Sequence, residues 1–79
     1  MTDARIEKMT KYFQQAYDYL KEGNRKQAER ACHKGDILIQ LERPRTITGD
    51  GWNIVFHGGK DTRPTIESVT DWLKARSLA

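Results

Sequence analysis

The sequence predicts an α+β domain: an N-terminal antiparallel helical hairpin, a small antiparallel β-hairpin or three-stranded sheet, and a C-terminal helix. Three observations carry that expectation. Apolar residues recur every three or four positions up to Pro44, a glycine-bounded stretch beyond it alternates with period two, and a short amphipathic segment follows. The expected divisions are about 3–42, 45–57 and 65–77, within one domain of 79 residues.

The first helix rests on Ile6, Met9, Phe13, Ala16 and Leu20, with Tyr17 beside them, which form one apolar stripe at the 3.6-residue period. Thr2 or Asp3 offers a side-chain oxygen to its first free N–H groups. Gly23 tolerates the left-handed conformation that ends a helix. Asn24 then starts a second helix, with Gln27 three residues on in the manner of a capping box.

The second helix admits two readings. Continued to Glu42, it aligns Ala28, Ala31, Cys32, Gly35, Leu38 and Ile39 on one side, and its small residues allow close packing on the first helix. Stopped at His33-Lys34-Gly35, it leaves Ile37, Ile39 and Leu41 to alternate as a strand. Interior glycine costs a helix about 1 kcal/mol relative to alanine, which favours the stop. The packing of two helices favours continuation, and the continuous reading is preferred here.

After Pro44, Thr46-Ile47-Thr48 and Trp52-Asn53-Ile54-Val55-Phe56 are rich in β-formers and flank Gly49-Asp50-Gly51, which is a hairpin signal. Trp52, Ile54 and Phe56 are expected on its buried face. Gly58-Gly59 closes the strand. Thr65 caps a last helix with Ile66, Val69, Trp72 and Leu73 turned inward.

Tyr12, Ala16, Tyr19, Ala28, Gly35 and Leu38 stand where a tetratricopeptide-type repeat places its large and small packing residues. Lys21-Glu22-Gly23-Asn24 matches its inter-helix turn. Residues 12–41 thus resemble one such helix–turn–helix unit, and the resemblance implies a packed helical hairpin. It occurs once, where a stable array needs about three copies, so it implies no peptide-binding groove and no binding residue.

Composition bounds the function. A chain this short buries just enough apolar surface, at roughly 25 cal/mol per Å², to offset its conformational entropy. Phe13, Tyr17, Trp52, Phe56 and Trp72 are the natural anchors, and self-association as a homodimer is expected to add stability. The lone Cys32 excludes an intramolecular disulfide and fits a reducing cytoplasm. No apolar run approaches the ~20 residues that span a bilayer, and the N-terminus lacks a signal-peptide layout. The expectation is a cytoplasmic protein with no membrane partner. A net charge of +3, from 14 basic and 11 acidic residues mixed along the chain, permits nucleic acid without requiring it.

Motifs that carry chemistry are weak. Phe56-His57-Gly58-Gly59-Lys60-Asp61-Thr62 runs towards a helix as a phosphate loop does, but Ile54 replaces the leading glycine and Asp61 repels phosphate. Cys32, His33 and Asp36 do not assemble four zinc ligands, because adjacent helical residues diverge by about 100°. His57 is remote in sequence. No nucleophile signature is present, so no cofactor, metal or catalysis is expected. Ala31 and Gly35 mimic the core spacing of a DNA-reading helix-turn-helix, yet Arg30, Lys34 and Asp36 occupy positions that unit keeps apolar.

Two surfaces remain. Tyr12 and Tyr19, seven residues apart and off the main stripe, together with Ile37 on the outer side of the second helix, are candidate protein contacts. Lys26, Arg30 and His33 line that helix's outer face, and Arg43, Arg45, Lys60 and Arg63 add charge near the loops, suiting phosphate or an acidic protein. The expected function is a small non-catalytic protein-binding module acting as an inhibitor or adaptor. Phage and mobile-element inhibitors of host machinery, anti-CRISPR proteins among them, are of this kind. The alternative is nucleic-acid binding through the second helix and the arginines around Pro44.

Overall fold

The structure, a computed structural model, describes residues 2–42, 50–56 and 62–76, arranged as four helices: α1 Asp3–Lys21, α2 Arg25–Glu42, α3 Asp50–Phe56 and α4 Ile66–Ala75. Thr2 is the N-cap of α1, its hydroxyl accepting from the Arg5 amide at 3.3 Å. The turn to α2 closes with two bonds, Asn24 N–H to Tyr19 O at 2.8 Å and Gly23 N–H to Leu20 O at 3.0 Å, with Gly23 at φ 79°. This is the paired arrangement that satisfies the orphan carbonyls of a helix end. Asn24 also opens α2, its Oδ1 accepting from the Gln27 amide at 3.3 Å.

α2 runs unbroken through Gly35, so residues 36–42 are helical. Packing explains why the glycine does not end it. A Cβ built at Gly35 would stand 2.6 Å from Phe13 Cζ and 2.9 Å from Phe13 Cδ1, inside any real contact. The missing side chain lets the fully buried Phe13 ring lie directly on the α2 backbone. The dispersion and burial gained by an aromatic ring outweigh the ~1 kcal/mol cost of an interior glycine.

The α+β expectation is corrected here. Among the described residues there is no strand, and the segment expected as the second strand of a β-hairpin is the helix α3. Its described buried residues are Gly51, Ile54 and Val55, the i, i+3, i+4 pattern of a helix, while Trp52 is half-buried and the side chain of Phe56, also expected on a period-two buried face, lies outside those described. Strand propensity in Trp52-Asn53-Ile54-Val55 yields because it mostly records how a side chain fits a half-buried sheet surface. This short segment instead meets α1, α2 and α4, and a helix presents side chains in several directions at once. Thr46-Ile47-Thr48, expected as the first strand, lies outside the described residues.

Asp36 anchors the start of α3. Its Oδ1 accepts from the Gly51 amide at 2.6 Å across the α2–α3 contact, at a site where Asp36 is buried. A carboxylate there satisfies an N–H that the short helix leaves free and complements the positive end of its dipole.

α4 starts with a capping box in which Thr65 Oγ1 accepts from the Ser68 amide at 3.1 Å and Ser68 Oγ accepts from the Thr65 amide at 2.9 Å. Val69 and Leu73 are fully buried and Trp72 packs against the core. Ile66, expected inward, stays 49% exposed in the first turn. The chain entering α4 is held to α1 by Gln14 Nε2 donating to Pro64 O at 2.9 Å, and by a two-bond pair from Arg63 to Asp18, both bonds 3.0 Å. The core is continuous from Ile6, Met9, Phe13 and Ala16 through Ala31, Cys32, Leu38 and Ile39 to Ile54, Val55, Val69 and Leu73.

Candidate functional site

The helical hairpin has a covered side and an open side. On the covered side, Gln14 and Asp18 of α1 bond residues 63–64 and Asp36 of α2 bonds Gly51. Tyr12 precedes Gln14 by two residues and Lys34 precedes Asp36 by two. Two helical steps turn through about 200°, so both point away from α3 and α4. They meet each other there, the Lys34 ammonium standing 5.8 Å from the centroid of the Tyr12 ring, within cation–π range.

The exposed face of α2 continues from this pair. Lys26, Arg30, His33 and Ile37 follow at spacings of four, three and four, and Arg30, Lys34, Ile37 and Leu41 form the neighbouring row. All four cationic-type side chains are exposed, Ile37 is 39% exposed and Leu41 64%. The candidates read separately as protein-binding and as basic thus fall on one face, basic towards the N-terminal end of α2 and aliphatic towards the other. The exposed carboxylate of Glu29, three residues after Lys26 and four before His33, borders this face and is paired with Arg25 at 3.4 Å one turn back.

Tyr12 and Tyr19 share an edge of α1, and both are half-buried, Tyr12 packing against the core. They form a shallow flank to the α2 face. Arg63 is exposed but its guanidinium is engaged by Asp18, and that hydrogen bond pushes its pKa up further. It belongs to the α1–α4 clamp and is remote from the α2 face. Arg43, Arg45 and Lys60 lie outside the described residues, as do His57 and most of the glycine-lysine loop.

Leu41 was missed by sequence reasoning because it alternates with Ile37 and Ile39 as if in a strand. Its signal was the four-residue step from Ile37, which places both on one helical face once α2 is continuous.

Cys32 is buried, and burial first, then the negative charge of Asp36 and Glu29, pushes its thiol up to about 12. It is held as the neutral thiol, the unreactive form. His33 is exposed on the other flank of the helix, so Cys32 and His33 face apart, and no group of three His, Cys, Asp or Glu able to hold a metal occurs among the described residues. No helix among them is long and apolar enough to cross a membrane.

No protein-family model, curated protein or solved structure matches the chain. Of the residues that carry the tetratricopeptide resemblance, Ala16, Ala28, Gly35 and Leu38 are buried, and no family model supports that resemblance.

Proposed function

We propose that this chain is a small non-catalytic protein-binding module, acting as an inhibitor or adaptor, whose contact surface is the outer face of α2 with the Tyr12 edge beside it. The observation that carries this reading is the exposure of Ile37 and Leu41 on the face turned away from α3, in one row with Arg30 and Lys34. Exposed aliphatics set among cations suit an interface, where the apolar pair gains from desolvation and the charges fix orientation. Small inhibitors that phages and mobile elements direct at host machinery, anti-CRISPR proteins included, are the kind of protein this reading has in view. A reducing cytoplasm, where Cys32 stays a thiol, is the matching compartment.

The test is affinity capture from host lysate with and without nuclease, using the wild-type chain and the Ile37→Gln/Leu41→Gln variant. The expected result is a stoichiometric partner that survives nuclease and is lost by the variant at unchanged helicity. Capture indifferent to both substitutions sinks the assignment of this face.

Nucleic-acid binding is the second reading, favoured by the run of Lys26, Arg30, His33 and Lys34 along one exposed face. Affinity that falls steeply with salt, and falls uniformly over sequences when Arg30 becomes alanine, is its signature. The engagement of Arg63 by Asp18 takes one of its expected contacts away.

A further inference from the structure

We propose, resting on the protein-binding reading above, that the outer face of α2 receives an acidic amphipathic helix of its partner. Charge sets the sign of the occupant. Lys26, Arg30, His33 and Lys34 project from this face, the Glu29 carboxylate at its edge is taken up by Arg25, and among the described residues Lys26, Arg30 and His33 take part in no ion pair. A partner with Asp and Glu opposite them is attracted and oriented, while a basic one is repelled.

The same charge argues against a second copy as occupant. A two-fold dimer through this face sets the patch against itself, so the cations of one copy meet only cations or aliphatic side chains of the other and find no carboxylate on it. The aliphatic pair argues against phosphate. Ile37 and Leu41 occupy the C-terminal end of the row, where a nucleic-acid backbone offers only charged and hydrated groups, and the face has no exposed aromatic ring on which a base could stack.

Helix geometry fixes the pattern of the partner. Ile37 and Leu41, one turn apart, accept an apolar pair at i, i+3 or i, i+4 in the way one helix's ridge fits another's groove. At 1.5 Å per residue, Lys34, Arg30 and Lys26 lie about 5, 10 and 16 Å from Ile37 along the axis. The complementary helix therefore carries its apolar pair at one end and carboxylates on the following two or three turns of the same face.

The experiment is a display selection of random helical peptides of about five turns against the full-length chain, followed by fluorescence anisotropy on the recovered sequences. Recovered binders are expected to carry an excess of Asp and Glu one to three turns from an apolar pair. They are expected to lose roughly tenfold or more in affinity with Ile37→Gln/Leu41→Gln. Arg30→Glu/Lys34→Glu is expected to abolish that binding and to select peptides with Lys and Arg at the same positions. All variants are matched to wild type by circular dichroism and melting. Neutral or basic binders that still depend on Ile37 and Leu41 overturn the acidic partner while sparing the protein-binding face. Binders indifferent to every substitution overturn both. Recovery of no peptide, tighter binding of duplex DNA than of any peptide, or a concentration-dependent dimer disrupted by Ile37→Gln/Leu41→Gln overturns the proposal as well.

Discussion

The ring of Phe13 lies against the backbone of α2 at Gly35, so closely that an added methyl group would overlap Cε1, Cζ and Cδ1 of the ring. Neighbouring Gly51 brings α3 onto the same ring, since a Cβ there would meet Phe13 Cε1 at 3.0 Å and Cys32 O at 3.1 Å. One aromatic side chain thus joins three helices, and two glycines are the positions that make room for it.

Replacing Gly35 with alanine tests this arrangement because two effects of opposite sign compete. Helix propensity alone gains about 1 kcal/mol. Overpacking against a fully buried ring costs about 1–3 kcal/mol, occasionally more, and the neighbour that must yield is the centre of the core. Net destabilisation by urea unfolding is the expected outcome. Adding Phe13→Leu to Gly35→Ala should cost less than Phe13→Leu costs in the wild type, a coupling read from the double-mutant cycle. A Gly35→Ala protein more stable than wild type contradicts the packing described.

Asp36 supplies the second test. Alanine at this position strands the Gly51 amide in a buried site, at a cost of about 1–3 kcal/mol, whereas Asp36→Asn keeps an acceptor and should cost less. The local readout is amide hydrogen exchange. Protection of Gly51 and the residues after it in α3 should fall further than that of α1, because the bond holds a seven-residue helix in place.

Much of the helical architecture is legible in the sequence. The stripe from Ile6 to Leu20, the left-handed Gly23, the double role of Asn24 and the Thr65 cap are local signals, each written in residues within one or two turns of one another. What failed was α3. Trp52-Asn53-Ile54-Val55 carries a strand preference of its own, and the decision against it comes from Asp36, Phe13 and Cys32, residues 16 or more positions earlier in sequence. Ile66 failed differently, since the stripe position was right and the first turn of α4 simply extends past the core. Of the candidate face, the exposed row of Lys26, Arg30 and His33 and the exposed Ile37 follow from helical spacing, but their joining with Leu41 depends on α2 passing through Gly35. The meeting of Tyr12 with Lys34 needs the register that Phe13 sets.

The Asp18–Arg63 pair is well formed and still expected to contribute little. Both side chains are about half exposed, 49% and 52%, and solvent-exposed pairs are worth about 0.2–1 kcal/mol even with good geometry. Asp18→Asn should therefore lower stability by under about 1 kcal/mol, with a smaller effect at high salt. A larger loss in urea titrations shows that the pair holds the segment 62–65 on α1 more firmly than its exposure implies.

Cys32 gives a chemical and a pH prediction from the same cause. Buried and near Asp36 and Glu29, its thiol should be silent to a thiol-reactive probe at neutral pH in the native state and titrate fully once the chain is unfolded. The folded-state value of about 12 stands above the ordinary 9.0, so between these limits the unfolded chain releases a proton that the folded chain keeps. The folded state then binds more protons, and stability must fall as pH rises. The contribution is intact below 9.0 and is lost progressively towards about 12. Comparing wild type with Cys32→Ala removes the titration of lysines and tyrosines common to both. The stability advantage of the wild type should shrink as pH is raised from 8 towards 11, and an advantage that grows over that range excludes a thiol held neutral by its surroundings.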